Sequence, residues 1–171
     1  MLVAKLAFAP ATAGAYGVAS VGARVLLLLP IGVTTVLFPR VATLRDRARE
    51  RRHLLAGLAV VAALGAVATA VIWVLADPIV TQIFGEKYAA AVPWLGPLSL
   101  AMALYALATV YIYHFLSLAR ARFALVLCGV FALQLLLFGL LHSRPAELVG
   151  VQLGVSALTL AAAEAWYLLR H

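Results

Sequence analysis

Five long apolar runs, separated by short charged connections, decide what this chain can fold into. They cover about residues 13–38, 54–76, 89–119, 123–141 and 148–169. As a helix rising about 1.5 Å per residue, each is long enough to cross roughly 30 Å of hydrocarbon. Composition excludes a water-soluble packing of such segments. Of the 171 residues 66% are hydrophobic and 11% charged, and the mean hydropathy is +1.09, which leaves too little polar surface to coat a globule of this size. The expected fold class is an all-α integral membrane protein with five transmembrane helices, forming a single membrane domain over residues 1–171.

Breaks within the runs are few. The first contains Arg24 and Pro30, which should kink it, and the second carries no charge. The third has Pro93 and Pro97 in its opening turns, so it is expected to tilt or to begin irregularly. Glu164 interrupts the fifth. The connections set orientation, because loops rich in Lys and Arg resist translocation. Residues 40–52 form a basic linker with Arg40, Arg45, Arg47, Arg49, Arg51 and Arg52; Arg120 and Arg122 follow the third run, and Arg170 stands next to the final His171. Placing these on the cytoplasmic side of the cell membrane puts the N-terminus outside and the C-terminus in the cytoplasm. Asp46 and Glu50 among the arginines favour a short interfacial helix with mixed charge pairs, touching lipid headgroups. A regulatory role for that run is the alternative.

On the opposite side, Asp77, Pro78 and Gly85 read as N-cap, first residue and C′ glycine of a short helix over Ile79 to Phe84. Trp73, Phe84, Tyr88 and Trp94 flank it as an interfacial aromatic belt. The net charge of +7 does not point to nucleic acid, since the cations sit between apolar runs and not on a face interleaved with exposed aromatics. The single Cys128 allows neither a disulfide framework nor a zinc site.

Arg24 is the most informative residue, because a charge within a span is costly and turns to a bundle interior or a watery cavity. At about 100° per residue, Gly17, Ser20, Arg24 and Thr35 share a face of the first helix, with Tyr16 beside them. The wall they form could line a substrate cavity in which the guanidinium meets phosphate oxygens, or Arg24 could be a structural partner of helix carbonyls or of an acidic residue. Glu164 is a candidate for ion or proton coupling, or a flank of the small-residue packing face of Gly150, Gly154, Ala157 and Ala161. Gln152, Ser156 and Thr159 share another face that could bond across the bundle or line the cavity. His114 reads as an interfacial or packing group, and Gln134 as an interhelical hydrogen-bond partner. No paired carboxylates, metal-ligand cluster, nucleophile with a base or phosphate-cradling loop stands out, so neither an enzyme nor a cofactor is expected.

The stretch from Ala13 to Leu44, with Gly14, Tyr16, Pro30, Phe38, Pro39 and Arg40, resembles the segment opening the later helices of the second bundle in oligosaccharide flippases of the multidrug, oligosaccharidyl-lipid and polysaccharide exporter superfamily. The stretch from Ile79 to Leu107 is similar to an outer connection of the same family, through Phe84, Gly85, Tyr88 and Ala91. The resemblance implies helices eight to twelve of a twelve-helix transporter whose two bundles enclose a central cavity and alternate between inward and outward openings. It further implies a polyprenyl-linked, anionic glycan as substrate, membrane lipids as partners, and a missing N-terminal bundle supplied in cis or in trans. A non-transporting membrane module or truncated product, and a cation-coupled drug exporter of the same fold, are the competing expectations.

Overall fold

A computed structural model of the chain describes residues 8–32, 47–117, 122–141 and 143–169. Thr35, Arg40, Arg45, Arg120 and Arg170 lie outside these residues, and Arg47 and Arg122 are described in their backbone alone. The described residues are almost wholly helical, and five helices are long and apolar enough to cross a membrane.

Helix α1 spans Pro10–Gly32. It tightens to a 3-10 turn at Val25–Leu27, one turn before Pro30. The proline has no N–H to give the carbonyl of Leu26 and its ring crowds that turn, which locates the irregularity. Helix α2, Arg47–Val74, is 28 residues long. It starts inside the segment expected to be a linker, so Arg49, Arg51 and Arg52 stand on its opening turns and not on a separate interfacial helix. Good helix formers, Arg, Glu, Leu and Ala, fill every position from Arg47 to Ala56 except His53, and no Gly or Pro stops the helix there.

A helical turn at Ala76–Pro78 and a wide π-type turn at Ile79–Phe84 connect α2 to the next span. The helical turn begins at Ala76, with Leu75 before it and no side-chain cap, so Asp77 is inside the turn and is not its N-cap. Its carbonyl instead accepts a 2.9 Å hydrogen bond from the Thr81 hydroxyl. Gly85 ends the segment at φ 99° and ψ 153°, a region open almost only to glycine. A 3-10 stretch at Glu86–Ala91 then leads into α3, Val92–Ser117. Helix α4 is Arg122–Leu140 and α5 is Pro145–Leu168. The last begins about a turn earlier than its apolar run, because Glu147 Oε2 accepts the Ser143 and Arg144 backbone N–H groups at 2.9 and 3.2 Å and Pro145 suits a first turn.

Helix α3 is the most buried span and α4 the least. α3 packs against α1, α2 and α5, whereas α4 leans mainly on α5. Small residues allow the close approaches, as expected where lipid removes the hydrophobic drive between helices. Ala15, Ala19 and Ala23 of α1 are buried in a cluster with Leu95, Leu98 and Met102 of α3. Gly96 lies under the Trp73 ring, where an added Cβ would stand 2.8 Å from Trp73 Cδ2. Two cores result. One surrounds Tyr88, near the starts of α1, α3 and α5; the other surrounds His114, near the starts of α2 and α4. The two ends of the bundle are called the Tyr88 end and the His114 end below.

Candidate functional site

A polar cleft runs between α1 and α4, which do not pack along each other. Its floor is α3 and α5. From α1 come Tyr16, Ser20 and Arg24, placed at successive turns of one face by their spacing of four. From α4 comes Gln134, and from α5 come Gln152 and Thr159. The cleft has two chambers. The smaller, about 160 Å³, lies toward the Tyr88 end and is lined by Tyr16, Ser20, Leu98 and Phe138 among others. The larger, about 570 Å³, extends toward the His114 end and is walled by Leu27, Tyr105, Leu127, Cys128 and Phe131. Arg24, Met102, Gln134 and Gln152 line both.

Arg24 is exposed on the open side of this cleft and is not enclosed in a bundle interior. Ser20 is beside the Tyr16 hydroxyl, so the smaller chamber collects a guanidinium, two hydroxyls and two amides. Among the described residues no carboxylate lines either chamber. Gln134 Nε2 donates a 3.0 Å hydrogen bond to Gln152 Oε1, joining α4 to α5. The other halves of both amides, two N–H donors and a carbonyl, can still serve a solute. Thr159 donates its hydroxyl to the Val155 carbonyl at 2.7 Å, which leaves it an acceptor toward the cleft. The apolar walls and the sparse set of polar groups match the general make-up of small-molecule sites, with an electrostatic bias toward anions.

Other sequence-selected residues lie elsewhere. Ser156 is fully buried, its hydroxyl has no hydrogen-bond partner among the described residues, and it lines neither chamber. About 40° around α5 from Gln152, it turns toward the packed side of the helix and away from the cleft. Glu164 is exposed near the end of α5 and lines neither chamber. Gly150, Gly154, Ala157 and Ala161 are exposed. A Cβ at Gly150 or Gly154 would meet nothing within 4 Å, so among the described residues no helix packs closely on these two positions, which border a groove with Leu133, Leu137 and Leu141. Arg49, Arg51 and Arg52 are exposed on the first turns of α2.

One pairing escapes the sequence altogether. Glu50, among the arginines, turns inward so that its Oε1 stands 3.2 Å from His114 Nε2, with side-chain exposures of 14% and 1%. The imidazole meets Phe115 edge-on at 5.7 Å and Tyr167 at 6.0 Å between ring centroids. Phe115 and Phe123, at 4.6 Å, and Phe123 and Trp166, at 5.8 Å, extend the cluster onto α4 and α5. Helices α2, α3, α4 and α5 are thus joined at the His114 end, while the Tyr88 half of the bundle holds α1. Met102, Tyr105 and Phe131 also line the cleft without any warning in the sequence, because an aromatic or thioether group inside an apolar run offers no contrast with its neighbours.

Comparison with protein-family models, with curated proteins and with solved structures finds no match for this chain.

Proposed function

We propose that this chain is the cavity-bearing part of a flippase for lipid-linked oligosaccharide, belonging to the multidrug, oligosaccharidyl-lipid and polysaccharide exporter superfamily. In this reading it moves a polyprenyl-linked glycan across the cytoplasmic membrane by alternating access, without covalent chemistry. The observation that carries it is the convergence of Arg24, Tyr16, Ser20, Gln134 and Gln152 on one cleft. A guanidinium with hydroxyl and amide neighbours and no carboxylate suits phosphate oxygens on a carrier lipid. The amides and Thr159 suit sugar hydroxyls, and the walls of Leu127 and Phe131 suit the polyprenyl chain. A cation-coupled drug exporter would want an anionic group where this cleft has Arg24.

In this reading the open side between α1 and α4 faces a second bundle, supplied in cis or in trans. The basic opening of α2 lies on the cytoplasmic side, which puts the Tyr88 end outside. The binding of a fluorescent polyprenyl-diphosphate oligosaccharide to the purified chain in lipid nanodiscs tests it. The expected result is saturable binding that Arg24→Gln weakens on the order of tenfold, as loss of a charge-assisted hydrogen bond implies. Equal binding of the variant, or of a neutral glycolipid lacking phosphate, would contradict it.

A further inference from the structure

The two chambers of the cleft adjoin where they share lining residues, and one hydrogen bond between α4 and α5 lies at that junction. Arg24, Met102, Gln134 and Gln152 line both chambers, so a solute moving from one to the other along the cleft comes beside these four side chains. Gln134 and Gln152 are linked at 3.0 Å and sit on different helices. We propose that the Gln134–Gln152 bridge is a gate, closing the smaller chamber from the larger and opening when α4 rocks away from α5. The inference deepens the transport reading and rests on its view of the cleft as a passage.

Three observations support it. First, α4 is the least buried span and packs mainly against α5, touching the rest of the bundle through a few side chains such as Phe123 and Phe138. Second, the aromatic contacts of Phe123 with Phe115 and Trp166 fasten the start of α4 at the His114 end. The Gln134 region, three turns along, can then swing about that anchor as a hinge. Third, the latch is self-complementary and replaceable. When two amides part, each donor and acceptor can turn to a phosphate or hydroxyl of a passing solute, so opening leaves no polar group stranded in a dry site. A carboxylate in either position would lock onto Arg24. Met102, unbranched and adaptable, can follow the change in shape.

The protein carries its own probe. Its single cysteine, Cys128, is exposed and lines the larger chamber, beyond the bridge from the Tyr88 end. The full chain is placed in sealed vesicles and treated from either face with an impermeant, sulfonated methanethiosulfonate reagent. The expected result is that Cys128 reacts from the His114 face and is protected from the Tyr88 face. Gln134→Ala and Gln152→Ala should raise the rate from the Tyr88 face roughly threefold to tenfold, as loss of one interhelical hydrogen bond implies. Their rate from the His114 face should not change, which also certifies the fold. Gln152→Asn withdraws the acceptor by one carbon and carries the same comparison where alanine disturbs the helix pair. Equal reactivity from both faces in the unaltered chain, no reactivity from either face, or one-sided protection that survives all three substitutions would overturn the proposal. Because the labelling needs no substrate, a gate seen here would stand even where polyprenyl-diphosphate binding failed. Substrate binding with no gate would remove only this inference.

Discussion

His114 on α3 and Glu50 on α2 face each other at 3.2 Å, with the imidazole sealed among Phe115 and Tyr167. They are far apart in the chain, and their contact ties the arginine-bearing start of α2 to the centre of the bundle. A polar group removed from water is expensive to leave without its partner. Glu50→Ala should therefore destabilise the protein by about 1–3 kcal/mol, read as a lower unfolding midpoint in detergent micelles. The double substitution Glu50→Ala with His114→Leu should recover part of the loss, since it removes both partners. Strict additivity of the two single changes would show that they do not interact.

Gly96 and Trp73 make the second test. The Trp73 ring lies across Gly96, with three of its atoms within 3.1 Å of where a Cβ would stand. Gly96→Ala must displace the indole at its root, so it should cost about 1–3 kcal/mol by overpacking and alter tryptophan emission. Combining it with Trp73→Leu should restore most of the stability. An unshifted midpoint for Gly96→Ala would mean that the two helices are not so close.

The turn at the Tyr88 end depends on Gly85, whose φ of 99° and ψ of 153° lie where a side chain is strained. Gly85→Ala has open space around its Cβ, so any cost is conformational. About 1–3 kcal/mol is expected, together with faster amide exchange over residues 79–91. Unchanged exchange there would contradict the backbone described for this connection.

Much of the fold is readable in the sequence for a simple reason. In lipid every backbone group must be satisfied within the protein, and a single long apolar run does so by itself only as a helix, so such runs announce helices, and charges and turn residues announce their ends. Arg24 and its neighbours stood out for the same reason: Tyr16, Ser20 and Arg24 are polar where polar is costly, and helical spacing puts them on one face. The structure gathers them with Gln134, Gln152 and Thr159 on one cleft. What stayed hidden has physical causes too. Glu50 reads as one more charge in a basic segment because nothing local says that α2 begins at Arg47. Ser156 is indistinguishable from Thr159 by spacing, and only the position of α3 sends it into the packed side. The small-residue face of α5 announces close packing, yet among the described residues no helix comes close to Gly150 or Gly154.

Glu147 provides a fourth test, at the start of α5. Its carboxylate takes the Ser143 and Arg144 N–H groups, satisfying donors that a helix start leaves over. Glu147→Ala should cost about 0.5–2 kcal/mol and speed amide exchange at residues 143–147. Glu147→Gln keeps an acceptor in place and should lose less. Identical exchange in all three proteins would show that the start of α5 does not rely on this side chain.

Arg24 faces a polar cleft from within a helix long and apolar enough to cross a membrane. A nitroxide at Arg24→Cys, in a Cys128→Ser background and in a lipid bilayer, reads this directly through collisions with a water-soluble nickel chelate and with oxygen. Leu28, an exposed apolar residue one turn further along α1, gives the lipid reference when labelled the same way. The nickel chelate should reach the label at position 24 much more often than at position 28, with the oxygen preference reversed. Oxygen-dominated collisions at both positions would place Arg24 among acyl chains and contradict the cleft as a site for a polar solute.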